Sequence, residues 1–199
     1  SMEMVRQATD FCHLFGVPYY SVHAGFRAAL APCELGRQLK MRESEDYEIS
    51  WARFTASLRK LCAYADRLGV RVAVENNVLP AHNLKKDGGH PLLCVAPHEF
   101  VRLLREVPVG VLLDLGHLKV TSRVLGYDPM EMLEACDSRI LAFHVSDNDG
   151  NTDEHAPPDK ESWVWEVLAQ FGKGRDVVIE AGPLEEEAFS ELADRVRGL

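Results

Sequence analysis

The chain has 199 residues, of which 46% are apolar and 27% charged, and its formal net charge is −9. This composition predicts a single globular domain over residues 1–199, and the acidic surplus disfavours the basic surface that nucleic-acid binding requires. No stretch approaches the roughly 18 apolar residues of a membrane span, so we expect no membrane partner. We interpret Ser1 and Met2 as a cloning remnant.

The alternation of two hydrophobic patterns along the chain predicts an α/β fold. Apolar residues at steps of three and four indicate helices, and short runs of valine, isoleucine and leucine indicate buried strands. In chain order we predict a helix at 4–14, strand at 17–23, helix at 51–68, strand at 70–75, helix at 97–106, strand at 109–114, helix at 130–135, strand at 140–145, helix at 163–171, strand at 176–180 and helix at 185–197. Residues 76–96 and the stretch directly after Asp114 are predicted as loops. The alternation favours a parallel sheet, in either a barrel or a doubly wound arrangement.

The cysteines indicate a reducing environment. They are odd in number, widely spaced and without a Cys-x-x-Cys pair: Cys12, Cys33, Cys62, Cys94 and Cys136. This pattern is typical of reduced, mostly buried thiols, so we predict a cytoplasmic location.

The last or next-to-last residue of each predicted strand has a side chain that can bind a metal or transfer a proton. These residues are His23, Glu75, Asp114, His144 and Glu180. Because the carboxyl ends of parallel strands lie on one face of the fold, we expect the five side chains to converge there. The sequence therefore predicts a functional site at this face.

The ionisable residues around this face are compatible with two kinds of metal site. The set Glu75, Asp114, His144 and Glu180 is rich in oxygen and suits Mn²⁺, Mg²⁺ or Co²⁺. A larger set, richer in nitrogen, would suit several zinc ions. Its further members are His23, His117, Asp153 and His155.

Four ordered motifs resemble those of the xylose isomerase-like TIM-barrel superfamily. They are Val72-Ala-Val-Glu75-Asn76-Asn77, Leu112-Leu-Asp114-Leu-Gly-His117, Phe143-His144-Val-Ser-Asp-Asn-Asp-Gly150 followed by Asp153-Glu-His155, and Val177-Val-Ile-Glu180. The superfamily includes sugar-phosphate isomerases and epimerases, ketose 3-epimerases, hydroxypyruvate isomerase, inosose dehydratase and the endonuclease IV type of AP endonuclease. The resemblance implies a (β/α)8 TIM barrel, for which 199 residues are short compared with about 250.

This shortness leads to an expectation about the sheet edges. The resemblance implies a short additional strand between His144 and Glu180, which would place Glu180 on strand eight and leave the chain without the N-terminal strands 1 and 2. A barrel opened in this way exposes strand edges, so we predict a homodimer that covers them.

The resemblance also implies roles for the site residues. Glu75, Asp114, His144 and Glu180 would hold the catalytic divalent metal, the two glutamates would act as acid and base, and the histidine at position 117 would contact the substrate. Further candidates for substrate contact are Asn76, Asn77 and Lys119. The implied activity is an isomerase or epimerase of carbohydrate metabolism, which moves a proton through a metal-stabilised ene-diolate of a small sugar or sugar phosphate. A dehydratase would share the first step.

Two other functions stay open at this point. One is a zinc-dependent, endonuclease IV-like phosphodiester hydrolase, which the ligands allow and the net charge of −9 disfavours. The other is a non-catalytic barrel with a vestigial metal site.

The chain departs from the ketose 3-epimerases at one position of the motif. Those enzymes carry an arginine shortly after the histidine that matches His144, whereas this chain has Ser146, Asp147 and Asn148 there.

Overall fold

The computed structural model describes residues 2–28, 39 and 45–198. Its α-helices are α1 (Met2–Leu14), α2 (Tyr47–Asp66), α3 (Pro97–Glu106), α4 (Leu115–Leu125), α5 (Pro129–Cys136), α6 (Val164–Phe171) and α7 (Glu186–Arg197). Its strands are β1 (Tyr19–His23), β2 (Arg71–Glu75), β3 (Gly110–Asp114), β4 (Ile140–Val145) and β5 (Asp176–Ile179). Short 3-10 helices cover Ala81–Asn83 and Asp137–Arg139.

The five strands form one parallel sheet in the order β1-β2-β3-β4-β5. A doubly wound sheet reverses its strand order at a switch point, whereas a TIM barrel adds each new strand beside the previous one. The sequential order therefore identifies the barrel alternative, with five consecutive βα units in the described part of the chain. The register sets His23 beside Glu75 and Asp114 beside His144.

Two sequence-based expectations about the connections are wrong. Strand β4 pairs directly with β5, with Val145 opposite Ile179, so no additional strand lies between them in the described chain. Glu180 therefore follows the immediate neighbour of the His144 strand. The second error is the loop predicted after Asp114, because α4 begins there at once. The Asp114 carboxylate accepts a hydrogen bond from the backbone N–H of His117 at 2.7 Å and caps the helix.

The main core lies between the sheet and the helices on its outer side. Trp51 of α2, Phe100 of α3 and Phe143 of β4 are each at most 1% exposed. Helix α2 begins where the Asp46 carboxylate accepts hydrogen bonds from the N–H groups of Glu48 and Ile49. The carboxyl ends of the strands, which carry the candidate ligands, lie at one edge of this sheet.

The helices and cysteines bear on the membrane and redox expectations. None of the described helices is both long and apolar enough to cross a membrane. The described cysteines have free thiols, and Cys33 lies outside the described residues. Exposed apolar side chains near the end of α1 include Phe11, Leu14 and Phe15.

Candidate metal centre

Four predicted ligands from adjacent strands converge at the carboxyl end of the sheet. The Nδ1 atom of His144 lies 2.6 Å from Glu180 Oε2, 3.4 Å from Glu75 Oε1 and 3.8 Å from Asp114 Oδ2. One ligand atom from each of the four residues lies within 4.8 Å of all the others. Octahedral ligands at about 2.1 Å from an ion are about 3.0 Å apart when adjacent and about 4.2 Å apart when opposite. The group therefore has the size that a small divalent ion requires.

Buried polar atoms without hydrogen bonds also indicate a cation site. His144 Nδ1, Asp114 Oδ2 and Glu180 Oε2 are buried and make no hydrogen bond within the described chain, although Nδ1 and Oε2 are close. Buried polar atoms in folded proteins nearly always have a partner. Two carboxylate oxygens and an imidazole nitrogen that share one small volume are a donor set that a cation satisfies.

The protonation of the group reflects burial and crowding. Burial raises the pKa of Asp114 above its ordinary value, against the opposing effect of His117. Burial would also raise the pKa of Glu75, but the nearby imidazoles of His144, His23 and His117 outweigh it and lower that pKa. For His144, burial is outweighed by Glu75 and the other carboxylates, so its pKa is raised.

Asn76 joins two of the ligand-bearing strands. Its Nδ2 donates to the backbone oxygen of Asp114 at 3.0 Å, and its Oδ1 accepts from the backbone N–H of Asp114 at 2.8 Å. The backbone oxygen of Asn76 also lies 2.8 Å from His117 Nδ1, which must be the donor because a carbonyl oxygen only accepts. Asn76 therefore sets the position of Asp114 and turns Nε2 of His117 into the site.

A second cluster of possible ligands lies beside the first. His117 Nε2 and His155 Nε2 lie 3.2 Å and 3.1 Å from Asp153 Oδ2. Burial would lower the pKa of His117, but Asp114 and Asp153 raise it to about 10. These three residues also offer ligand atoms within 4.8 Å of one another. We call them the histidine cluster.

The loop between β4 and α6 holds the histidine cluster in place. His155 has φ = 49°, a left-handed conformation that costs a non-glycine residue roughly 1–2 kcal/mol. Its Nδ1 lies 3.0 Å from the backbone oxygen of Glu180, and Asp147 and Ala156 exchange backbone hydrogen bonds beside it. The loop thereby connects the two groups of candidate ligands.

The remaining predicted residues occupy different positions around the site. His23 Nδ1 lies 3.8 Å from Glu75 Oε2, and its side chain is largely exposed. Asn77 donates to the backbone oxygens of Gly25 and Leu93. Lys119 is held by Asp147 Oδ1 at 2.5 Å and the backbone oxygen of Asn148 at 2.6 Å.

A cavity of about 740 Å³ opens in front of both ligand groups. Its described lining includes the predicted residues His23, Glu75, Asn77, His117, Asp153, His155 and Glu180. Asn76, Asp114, Lys119 and His144 are not part of this lining. Further polar lining residues are His82, Asn83 and Thr152. The apolar lining residues, which we call the apolar wall, are Phe26, Leu39, Val78, Pro80 and Leu92. Sequence reasoning missed the wall, although apolar residues within the otherwise polar loop 76–96 were the available signal.

Comparisons with known proteins agree with the fold. A family model described as "Xylose isomerase-like TIM barrel" matches residues 1–196. A D-tagatose 3-epimerase-like protein superposes with a TM-score of 0.72 at 17% identity, covering 98% of this chain and 68% of that one. The 3-keto-D-glucoside 4-epimerase YcjR from E. coli, in its apo form, superposes with a TM-score of 0.68 at 15% identity, covering 100% and 70%.

A third solved structure is described with a metal. It is a xylose isomerase-like TIM barrel protein from Mycobacterium smegmatis in complex with magnesium, with a TM-score of 0.66 at 17% identity, covering 98% of this chain and 65% of that one. A search of curated proteins found no match. At these identities the solved structures establish a shared TIM-barrel fold.

Proposed function

The chain belongs to the family of xylose isomerase-like TIM barrels, and from this premise we propose that it is a divalent-metal-dependent isomerase or epimerase of a small sugar. The observation that carries the proposal is the group of four ligands, which includes two glutamates and borders a cavity of about 740 Å³. Sugar epimerases among the structures of similar fold support this choice.

Glu75, Asp114, His144 and Glu180 would hold the ion. Three carboxylates and one imidazole suit Mn²⁺, Mg²⁺ or Co²⁺, and the histidine cluster beside them leaves room for Zn²⁺. When bound, the ion would polarise the carbonyl group of the substrate and offset the negative charge that develops after loss of a proton.

The two glutamates are the candidate acid and base. They differ in environment, since the side chain of Glu75 is 6% exposed and that of Glu180 is 43% exposed. Both lie near Nδ1 of His144, so a substrate held beside this atom has a carboxylate within reach from two strands. One glutamate would remove a proton from carbon and the other would return one. His117 Nε2 would donate a hydrogen bond to a substrate oxygen.

Exchange of carbon-bound hydrogen tests these roles. We expect wild-type protein with Mn²⁺ to exchange a substrate C–H into deuterated water in a screen of keto-sugars. Glu75→Gln and Glu180→Gln should each lose nearly all exchange and keep the fold. Glu154→Gln makes the same charge change at an exposed position in the loop outside the described cavity lining, and should behave like wild type. Wild-type exchange in both site variants would refute the acid and base roles.

The histidine cluster supports a second candidate, a phosphodiester hydrolase with two or three zinc ions. The cluster offers a second group of ligands in which two of three are imidazoles, as zinc prefers. Metal analysis separates the candidates: about one Mn or Mg per chain supports the isomerase, and two or three Zn with cleavage of bis-p-nitrophenyl phosphate supports the hydrolase. Failure to bind metal under any condition would indicate a vestigial site.

The cytoplasmic location and the homodimer stay predictions. The free thiols of the described cysteines are compatible with a reducing compartment. Light scattering at micromolar concentration tests the dimer, and a monomer would contradict it.

A further inference from the structure

The apolar wall is a built part of the cavity. Phe26 and Leu92 form an antiparallel bridge, and the N–H of Leu93 donates to the backbone oxygen of Gly25 at 3.0 Å. Asn77 donates to the backbone oxygens of both Gly25 and Leu93 and thereby ties the two segments together. The segment after β1 and the loop after β2 are therefore held against each other in front of the sheet.

Two residues of the wall belong to a small buried hydrophobic cluster. The cluster consists of Leu39, Leu79, Leu92 and Val95, all at most 6% exposed. Phe26, in contrast, remains 37% exposed, although it is a large apolar residue that lines the cavity. An exposed aromatic ring in a cavity is a surface that an apolar ligand group can cover.

The cavity lining combines two kinds of chemistry. The ligand groups supply carboxylates and imidazoles, and the apolar wall supplies carbon, although His82 and Asn83 of the loop after β2 also line the cavity. A free sugar can turn C–H groups of its ring toward one aromatic side chain, but hydroxyl groups placed against the rest of the wall would lose water without gaining hydrogen bonds. A volume of about 740 Å³ also lies well within the range of about 300–1000 Å³ that accommodates drug-sized ligands.

The charged residues of the lining indicate whether the cavity would bind a phosphate group. The described lining contains no lysine or arginine, and the lysine proposed for substrate contact, Lys119, is paired with Asp147. Phosphate groups are usually bound by such cations or by helix N-termini. The described cavity therefore favours an uncharged group beyond the sugar.

Resting on the proposed function, we propose that the substrate is a keto-sugar that carries an apolar substituent, of the class of aryl or alkyl glycosides. The carbonyl and hydroxyl groups of the sugar face the four ligands, and the substituent lies against Phe26 and the rest of the apolar wall. Phe26 is then a specificity-determining residue, and it distinguishes substrates by what is attached to the sugar.

Binding of two matched ligands to the manganese-loaded protein tests the inference. The probes are the methyl and phenyl β-glycosides of 3-keto-D-glucose, which differ only in the substituent, and calorimetry gives the Kd of each. We expect the phenyl glycoside to bind at least about tenfold more tightly, equivalent to about 1.4 kcal/mol. In Phe26→Ser the ratio of the two constants should fall below about threefold, and in Phe26→Leu most of it should remain.

Phe189→Ser provides the matched control. Phe189 is an exposed phenylalanine on α7 that is not part of the described cavity lining, so its replacement should leave the ratio unchanged. A ratio below about threefold in wild type, a ratio unaffected by Phe26→Ser, or tighter binding of the 6-phosphate of the methyl glycoside would overturn the inference. Phenyl preference without C–H exchange refutes the proposed function alone, and exchange without phenyl preference refutes this inference alone.

Discussion

Replacement of Asn76 should weaken metal binding through Asp114. Asn76→Ala removes two hydrogen bonds to the buried backbone of Asp114, at 3.0 Å and 2.8 Å. A typical bond contributes about 0.5–1.5 kcal/mol, and a buried group left unpaired costs about 1–3 kcal/mol. We therefore expect the free energy of unfolding to fall by about 2–4 kcal/mol. Loss of residues that orient ligands commonly weakens metal affinity about 10–100-fold, and we expect at least the lower value here.

Asn77→Ala is the matched control for this variant. Asn77 is also buried and donates two hydrogen bonds, but its acceptors are Gly25 and Leu93, away from the ligand backbone. Urea unfolding followed by tryptophan fluorescence should show a similar loss of stability in both variants. Calorimetric titration with Mn²⁺ should show a loss of affinity only in Asn76→Ala. Unchanged affinity in Asn76→Ala, or an equal loss in both variants, would refute the positioning role.

Three further predictions concern the ion, pH and packing. Mn²⁺ at 100 times its Kd should stabilise wild type by about 2.7 kcal/mol in thermal unfolding, and Asp114→Asn, which keeps an oxygen to cap α4, should lose this gain. Burial would raise the pKa of Asp147, but its hydrogen bond with Lys119 lowers it below 3.8, so the ionised carboxylate stabilises the fold above that pH and the contribution is lost as pH falls further. Urea midpoints of wild type and Asp147→Asn should therefore differ at pH 6 and converge toward pH 3, and a constant difference would contradict this. Gly116→Ala should lower the stability by about 1–3 kcal/mol, because its Cβ would lie 2.5 Å from Ser146 Oγ; an unchanged midpoint would show that the serine moves without cost.

The strands and the ligands they carry were predictable because both depend on local patterns. Runs of apolar residues identify buried parallel strands, and a polar residue at the end of such a run lies at the carboxyl end of the sheet. The structure brings Glu75, Asp114, His144 and Glu180 together as this reasoning predicts, and the family match confirms the fold.

The connections were harder to predict because they depend on long-range contacts. The cap that Asp114 forms on α4 is local, and an aspartate before an apolar segment was an available signal for it. The pairing of the Asp114 backbone with Asn76 joins residues that are far apart in the chain, and the sequence does not show it. The apolar wall likewise depends on pairing between Phe26 and Leu92, which are far apart in the chain. The extra strand expected before Glu180 came from the resemblance, and the direct pairing of β4 with β5 replaces it.

The sequential order of the strands has a consequence for how the protein folds. Each ligand of the four-residue group enters from a different strand, and Glu180 follows the last of them. All four candidate ligands come together only when β5 is docked beside β4, so binding of the proposed ion would report a complete sheet. The carboxylates repel one another when no cation lies between them, so we expect Mn²⁺ to change only those folding steps in which β5 pairs with β4.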